Sequence, residues 1–333
     1  MTEILILMPA AHQALAITPE AFERLERCGR VSVAATATDH TRADVRELLA
    51  RAEIVMTGTG TAKLTDDVLD GAPGVRAIVH AAGTVRPIVE EDVYDRGIQI
   101  SSQAPTNALP VAEYTLAMIL LELKGVRAIE GLYRHGRVEV DVDGLLEHQG
   151  NYQRRVGIVS ASSIGRRVIE LLRPFDLEVA VYDPFLRSEE AEALGVTAVD
   201  LETLMSSSDL VSIHAPLLPQ TRGMIGAQEL SLLRDGAVVI NTARGAIVDQ
   251  DAFVRELQTG RIRAVIDVTD PEIPEPDSPL WALENIVLTP HVAGSRGLEM
   301  RRIGDRAVAE VERFARGETL QFGVTRTRYA TNA

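Results

Sequence analysis

Three short segments in the C-terminal half carry side chains suited to moving a proton beside an anion. They are Asn241-Thr242-Ala243-Arg244-Gly245, Asp267-Val268-Thr269-Asp270-Pro271-Glu272 and Thr289-Pro290-His291-Val292-Ala293-Gly294. Each follows a short apolar run that reads as a buried strand: Ala237 to Ile240, Ala264 to Ile266 and Ile286 to Leu288. In open α/β sheets, ligands collect at the carboxyl ends of the strands. One cation, one carboxylate and one imidazole are therefore expected at the same edge of one sheet. An imidazole titrates near neutrality and can give and take a proton. A guanidinium fork can grip a carboxylate.

In this order and spacing the segments resemble those of the D-isomer-specific 2-hydroxyacid dehydrogenases, and the resemblance runs from about residue 50 to about residue 318. It implies that His291 is the general acid/base and that Arg244 grips the carboxylate and carbonyl of a 2-oxo acid. The family register puts the histidine's partner at Glu272, five residues after Asp267, with Asp270 as the rival carboxylate. A carboxylate on the second ring nitrogen would fix the tautomer and favour the imidazolium. The related formate dehydrogenases pair this histidine with glutamine, so an acid at Glu272 favours a 2-hydroxy acid. The chemistry implied is hydride transfer to or from a nicotinamide, with no metal required.

These residues need a scaffold, and the chain supplies two strand–helix alternations. The first reaches about residue 103, with strand candidates Ile4 to Met8, Val31 to Ala35, Ile54 to Thr57, Ala77 to His80 and Ile98 to Ser101, and helices such as Arg42 to Arg51 between them. A long helix then fits Asn107 to Lys124, with Asn107 as its N-cap. After a charged stretch from Tyr133 to Arg155, alternation restarts and provides six strands, enough for a complete dinucleotide-binding sheet. Leu298 to Arg316 is helical, and the polar tail from Gln321 to Ala333 is expected to be frayed or loosely docked.

The resemblance implies an α/β fold of two Rossmann-like or flavodoxin-like parallel-sheet domains. The cofactor domain (residues 104–294) would be inserted in a discontinuous substrate domain (residues 1–103 and 295–333), with the active site in the cleft between them. It further implies a homodimer contact through the stretch from Tyr133 to Arg155.

The turn after Val156 to Val159 should carry G-x-G-x-x-G but reads Ser160-Ala161-Ser162-Ser163-Ile164-Gly165. Only the third glycine remains, the one that permits close helix–strand packing. A side chain at the second position must turn aside or push the pyrophosphate away. The helix N-terminus at Ser163, Ile164 and Gly165 still offers N–H groups and a positive dipole end. Asp183 closes the next strand, 18 positions beyond Gly165. An acid there bonds the ribose hydroxyls and repels a 2′-phosphate, which favours NAD over NADP. The plainer role is a turn aspartate before Pro184. By resemblance, His214, Pro216 and Thr221 belong to a loop over the cofactor, and Thr242, Ala243 and Asp267 line the nicotinamide. Asp267 could instead cap a turn.

The family's substrate loop corresponds to His80-Ala81-Ala82-Gly83-Thr84-Val85-Arg86-Pro87. Backbone N–H groups around Ala82, Gly83 and Thr84 would form a nest for the substrate carboxylate. Arg86 departs from the usual family text. It could read a second anionic group, as in a phosphonate or other dianionic hydroxy acid, or pair at the surface with Glu90 or Glu91. His80 either faces the cleft or is a buried strand-end histidine.

Bulk properties bound the rest. A length of 333 residues suggests two domains. A formal net charge of -14 argues against nucleic acid and anionic membranes as partners, but not against a small anionic substrate. The lone Cys28 cannot form an internal disulfide; it reads as an inert thiol, and a reducing cytoplasm fits. The N-terminus reads as a first strand, and no run approaches about 18 apolar residues, so no membrane span is expected. A different class stays open: a cofactor-sensing protein without turnover, because the family includes corepressors. The altered glycine motif favours that reading, and the intact Arg244, Glu272 and His291 oppose it.

Overall fold

Continuous apolar runs build the two sheets. In β1 (Thr2–Leu7), Leu5 and Leu7 enter one apolar cluster while Ile4 and Ile6 enter another. A strand that buries both faces belongs inside a parallel sheet covered by helices on both sides. The structure, a computed structural model, describes residues 1–137 and 139–331. Among these residues the chain forms two units, one from Met1–Asn107 and the segment from Ser295 onwards, the other Ala108–Gly294.

In the first unit, β1 lies between β2 (Gly29–Val33) and β3 (Ile54–Thr57), and β4 (Ala77–His80) and β5 (Gln99–Ser102) complete a parallel sheet of order β2-β1-β3-β4-β5. This is the flavodoxin-like order. Helix α1 (Pro19–Cys28) starts at Thr18, whose hydroxyl accepts from Ala21 N. Cys28 sits half-buried at its end, and burial pushes the thiol pKa up, away from the reactive thiolate.

Helix α2 (Ala104–Leu123) starts three residues earlier than the periodicity suggests. Asn107 is therefore inside its first turn and is not the N-cap; its Oδ1 accepts from Ser295 N at 2.8 Å. The first unit accordingly extends to Asn107, where the sequence placed its boundary at 103. A bond within the unit accompanies the difference: Asn107 Oδ1 accepts from the N–H of Ser295, which belongs to the same unit.

The second unit holds β6 (Arg154–Val159), β7 (Leu177–Tyr182), β8 (Thr197–Ala198), β9 (Leu210–Ile213), β10 (Val238–Asn241), β11 (Arg263–Ile266) and β12 (Ile286–Leu288). Their order is β12-β11-β10-β9-β6-β7-β8, all parallel. This is the dinucleotide-binding order with its switch point between β6 and β9. The sheet has seven strands where the sequence suggested six, because the two-residue β8 is too short to leave a pattern. Helix α3 (Val126–Gly136) runs into the start of the charged stretch, and α4 (Val142–Leu145) lies within it. Helix α5 (Ser163–Leu172) follows the β6 turn.

Helix α6 (Glu299–Ala315) belongs to the first unit. It buries Ile303, Ala307, Val308 and Val311, and Arg24 on α1 forks onto Glu312 at 2.8 and 2.9 Å. A Cβ on Gly304 would fall 1.6 Å from the Ala16 carbonyl oxygen, so only glycine lets α6 approach this closely.

The tail corrects the expectation of fraying. Gly323 forms an antiparallel bridge with Ser101, Val324 N donates to Ile100 O at 2.7 Å, and helix α7 (Arg326–Thr331) follows. The buried carboxylate of Glu310 accepts from Gln321 N and Phe322 N, a long-range anchor that composition does not reveal. Residues 332 and 333 lie outside the described residues.

Candidate active site

Arg244, Glu272 and His291 follow β10, β11 and β12, three adjacent strands, so one sheet edge brings them together. Asn241 shapes the first loop: its Oδ1 accepts from Ala243 N and its Nδ2 donates to Arg244 O. Gly245 brings that loop against the next one. A Cβ there would sit 2.1 Å from the Thr269 carbonyl carbon, so no other residue fits. Thr269 in turn donates its hydroxyl to Glu272 O at 3.0 Å.

Asp267 shapes the third loop. It is 1% exposed, and its carboxylate accepts from Thr289 Oγ1 (2.5 Å), Val292 N (2.8 Å) and Ala293 N (2.9 Å). These bonds hold His291 in a left-handed conformation at φ 54°, which histidine tolerates better than most residues. His291 Nδ1 lies 2.5 Å from Glu272 Oε1. Both side chains are open to solvent, 42% for the imidazole and 59% for the carboxylate. The rival carboxylate points elsewhere: Asp270 Oδ2 meets Arg222 Nη1 at 3.2 Å. Arg244 is half-buried and donates to Ala243 O at 2.6 Å. Burial lowers its pKa from the usual arginine value, and the charge of Glu272 opposes that shift.

Thr242 and Ala243 are buried, and Thr242 Oγ1 is 3.2 Å from Thr115 Oγ1 on α2. Tyr114, on the same helix, places its hydroxyl 3.2 Å from Thr289 Oγ1. The sequence reading missed Asn241 and Tyr114 as loop supports. Asn241 lay visible in the first segment, whereas Tyr114 read only as helix periodicity.

The altered glycine turn follows β6. Ser160 takes the left-handed conformation, at φ 78°, that the first glycine normally supplies. Ser162 does not, with φ -60°; its hydroxyl turns aside as the N-cap of α5 and accepts from Gly165 N at 3.3 Å. Gly165 remains indispensable, because a Cβ would lie 2.1 Å from Ser160 O. Asp183 closes the turn, with Oδ2 accepting from Ala161 N (2.8 Å) and Ser160 Oγ (3.1 Å) and Oδ1 from Phe185 N. The turn fits a dinucleotide. The N–H groups of Ser163 and Ile164 open α5 ahead of its first intrahelical bond, and an acid sits at the end of β7.

Beyond the switch point, His214 is buried with Nε2 on Ser212 Oγ at 2.9 Å, and burial drives its pKa down to about 3. Its Nδ1 is buried without a protein partner among the described residues. Thr221 donates its hydroxyl to Pro216 O and accepts from Leu218 N, which closes that loop on itself.

In the first unit, Ala82, Gly83 and Thr84 are half-buried just past β4, and Thr84 Oγ1 accepts from Arg86 N. His80 is a buried strand-end histidine. Its Nδ1 meets Thr57 Oγ1 at 2.9 Å, and burial lowers its pKa to about 3. Arg86 is bonded to the C-terminal tail. Glu90 pairs with Lys63 and Glu91 with Arg326, while Arg86 donates to Tyr329 O at 2.9 Å and stacks on the Tyr329 ring.

The second unit is thus a doubly wound sheet with an Arg, an acid and a His after three adjacent strands. The family model for the D-isomer specific 2-hydroxyacid dehydrogenase NAD binding domain matches residues 116–293. The chain belongs to that family, and its second unit carries the family's NAD-binding domain. A glyoxylate reductase of Aeropyrum pernix is 32% identical over 266 residues, 78% of each chain. A D-3-phosphoglycerate dehydrogenase of Methanocaldococcus jannaschii is 29% identical over 96% of this chain, which spans 58% of that relative's length. The crystal structure of D-lactate dehydrogenase from Aquifex aeolicus, complexed with NAD and lactic acid, superposes with a TM-score of 0.73 at 26% identity, covering 95% of this chain and 96% of that one. Among the described residues, no helix is long and apolar enough to cross a membrane, and no three His, Cys, Asp or Glu side chains group as metal ligands.

Proposed function

We propose that the protein is an NAD-dependent oxidoreductase that interconverts a small D-2-hydroxy acid and its 2-oxo acid. The observation that carries this reading is the 2.5 Å contact between His291 Nδ1 and Glu272 Oε1, with Arg244 on the neighbouring loop. When bound, NAD supplies the hydride acceptor, and NADH the donor, at nicotinamide C4. The chain's own residues do the rest. In the reducing direction, His291 gives a proton from Nε2 to the carbonyl oxygen; in the oxidising direction it takes the hydroxyl proton back. Glu272 fixes the ring orientation. Arg244 holds the substrate carboxylate and polarises the carbonyl; its burial strengthens both contacts by removing competing water. Asp267 contributes by pinning the loop that carries His291. The backbone N–H groups at Ala82, Gly83 and Thr84 are assigned to the substrate carboxylate.

The test is steady-state kinetics on a panel of 2-oxo acids with NADH, alongside fluorescence titration of NADH. His291→Asn should lower kcat by about a thousandfold while leaving the NADH Kd within about twofold. A variant that keeps more than about a tenth of the activity sinks the assignment. Glu272→Gln should cost less, about 10- to 100-fold, because the amide still accepts from Nδ1 but no longer carries a charge.

We further propose a homodimer joined through α3 and α4. The supporting observation is exposed apolar side chains on these helices: Leu132 and Leu145 are half exposed, and Tyr133 is 64% exposed.

A further inference from the structure

The C-terminal tail is bonded to the loop assigned to the substrate carboxylate, and one side chain makes most of the connection. Tyr329, on α7, donates its hydroxyl to Val89 O at 3.1 Å, and its own carbonyl accepts from Arg86 Nη2 at 2.9 Å. Its ring lies under the Arg86 guanidinium, 5.2 Å from centroid to Cζ, and meets the edge of Tyr94 at 5.8 Å. Arg86 and Val89 follow directly on Ala82-Gly83-Thr84, and Thr84 Oγ1 accepts from Arg86 N.

The tail is held at three further points. Glu310 grips its root at Gln321 N and Phe322 N. The bridge at Gly323 adds it to the edge of β5, and Val324 packs into the apolar cluster beneath that face. Arg326 forks onto Asp95 at 2.7 and 3.0 Å and reaches Glu91 at 3.2 Å. An edge strand covered in this way is protected from pairing with other chains. The contacts beyond β5 need a different reason, because they grip residues 86–95 and leave the strand itself.

We propose that the tail, residues 321–331, is a positioning element for the carboxylate-binding loop, and that it acts through Tyr329 on Arg86 and Val89. Arg86 acts as a strut in this arrangement. A nest of backbone N–H groups binds an anion only when consecutive residues hold their dihedral angles. Flanking residues fixed by the tail make that geometry persistent, and their release lets the nest fluctuate. The inference rests on the proposed 2-hydroxy-acid chemistry at the point where it assigns the loop to a carboxylate.

The experiment pairs kinetics with amide hydrogen exchange on the full chain, using Tyr329→Ala, Tyr329→Phe and Arg86→Met. Glyoxylate serves as the singly charged 2-oxo acid and oxaloacetate as the doubly charged one. In Tyr329→Ala, exchange across residues 82–89 should accelerate by about tenfold, from loss of the ring stack and one hydrogen bond. KM should rise by about tenfold for both acids alike, with kcat and the NADH Kd within about twofold. Arg86→Met should do the same. Tyr329→Phe, which keeps the ring and the carbonyl, should recover most of the loss.

Unchanged exchange and KM in Tyr329→Ala overturn the proposal. So does an Arg86→Met defect confined to oxaloacetate, because that pattern marks a direct charge contact. If the wild-type protein turns over no 2-oxo acid, the proposed function falls, and the exchange rates alone then decide the tether. Faster exchange in Tyr329→Ala supports it, and unchanged exchange overturns it.

Discussion

Asp183 and Asp267 are both strand-end acids, and their surroundings separate them. Asp267 is buried, and its carboxylate holds three groups of the loop that presents His291. Asp183 is half-buried and closes the altered glycine turn through Ser160 and Ala161. A negative charge there, next to the helix N-terminus that would face the pyrophosphate, opposes a 2′-phosphate. NADH should therefore bind at least about tenfold more tightly than NADPH, and Asp183→Asn should shrink that ratio to a fewfold by removing the charge while keeping an acceptor. Fluorescence titration reads both. Equal affinity of the wild-type protein for the two cofactors would refute the charge argument.

Elements are where packing overruled composition. Helix α3, which leads into the charged stretch from Tyr133 to Arg155, has no buried residue in the protomer and presents Val126, Leu132 and Tyr133 to the outside. Together with Val142 and Leu145 on α4, this is the kind of apolar surface that marks a protein interface. Sedimentation should give a dimer, and the pair Leu132→Asp with Tyr133→Asp should give a folded monomer by placing charges on that face. A wild-type monomer at micromolar concentration, or an unaltered dimer in the double variant, would remove this surface from consideration. The glycine turn makes the same point on a smaller scale. Its motif is damaged at two positions, but only Ser160 occupies a left-handed backbone, and Ser162 becomes a helix cap. Spacing alone does not tell which glycine a given turn needs.

For the molecule as a whole, burial of titrating groups sets a pH dependence. His80 and His214 are held neutral by burial, each with its pKa lowered to about 3. A histidine whose pKa falls on folding stabilises the fold fully above its ordinary value near 6.5. That contribution is lost as pH drops towards 3, because the unfolded chain binds the proton first. At pH 5.5 the loss is on the order of 1 kcal/mol for each histidine. Urea unfolding at pH 7.5 and 5.5 should show this difference, and both rings should keep their neutral NMR shifts down to pH 5. Titration of either ring near 6.5 in the native protein would refute the account.

Strand runs, the alternation that makes parallel sheets, and the delivery of Arg244, Glu272 and His291 to one sheet edge were all legible in the chain. These features depend on local patterning and on the rule that parallel strands share a carboxyl end. The choice of Glu272 over Asp270 needed the family register at first, and geometry then set the two carboxylates on different partners. The start of α2, the docking of the tail and the partner of Arg86 were not legible. Arg86 and Tyr329 are 243 residues apart, and Gln321 and Phe322 depend on a carboxylate buried in another helix. The sequence by itself determined all but the shortest strand, β8, and which chemical groups end the strands that carry the site. Only the tertiary structure decided which polar groups are satisfied by one another, because a buried donor takes whatever acceptor the fold brings within reach, and that reach is unrelated to separation along the chain.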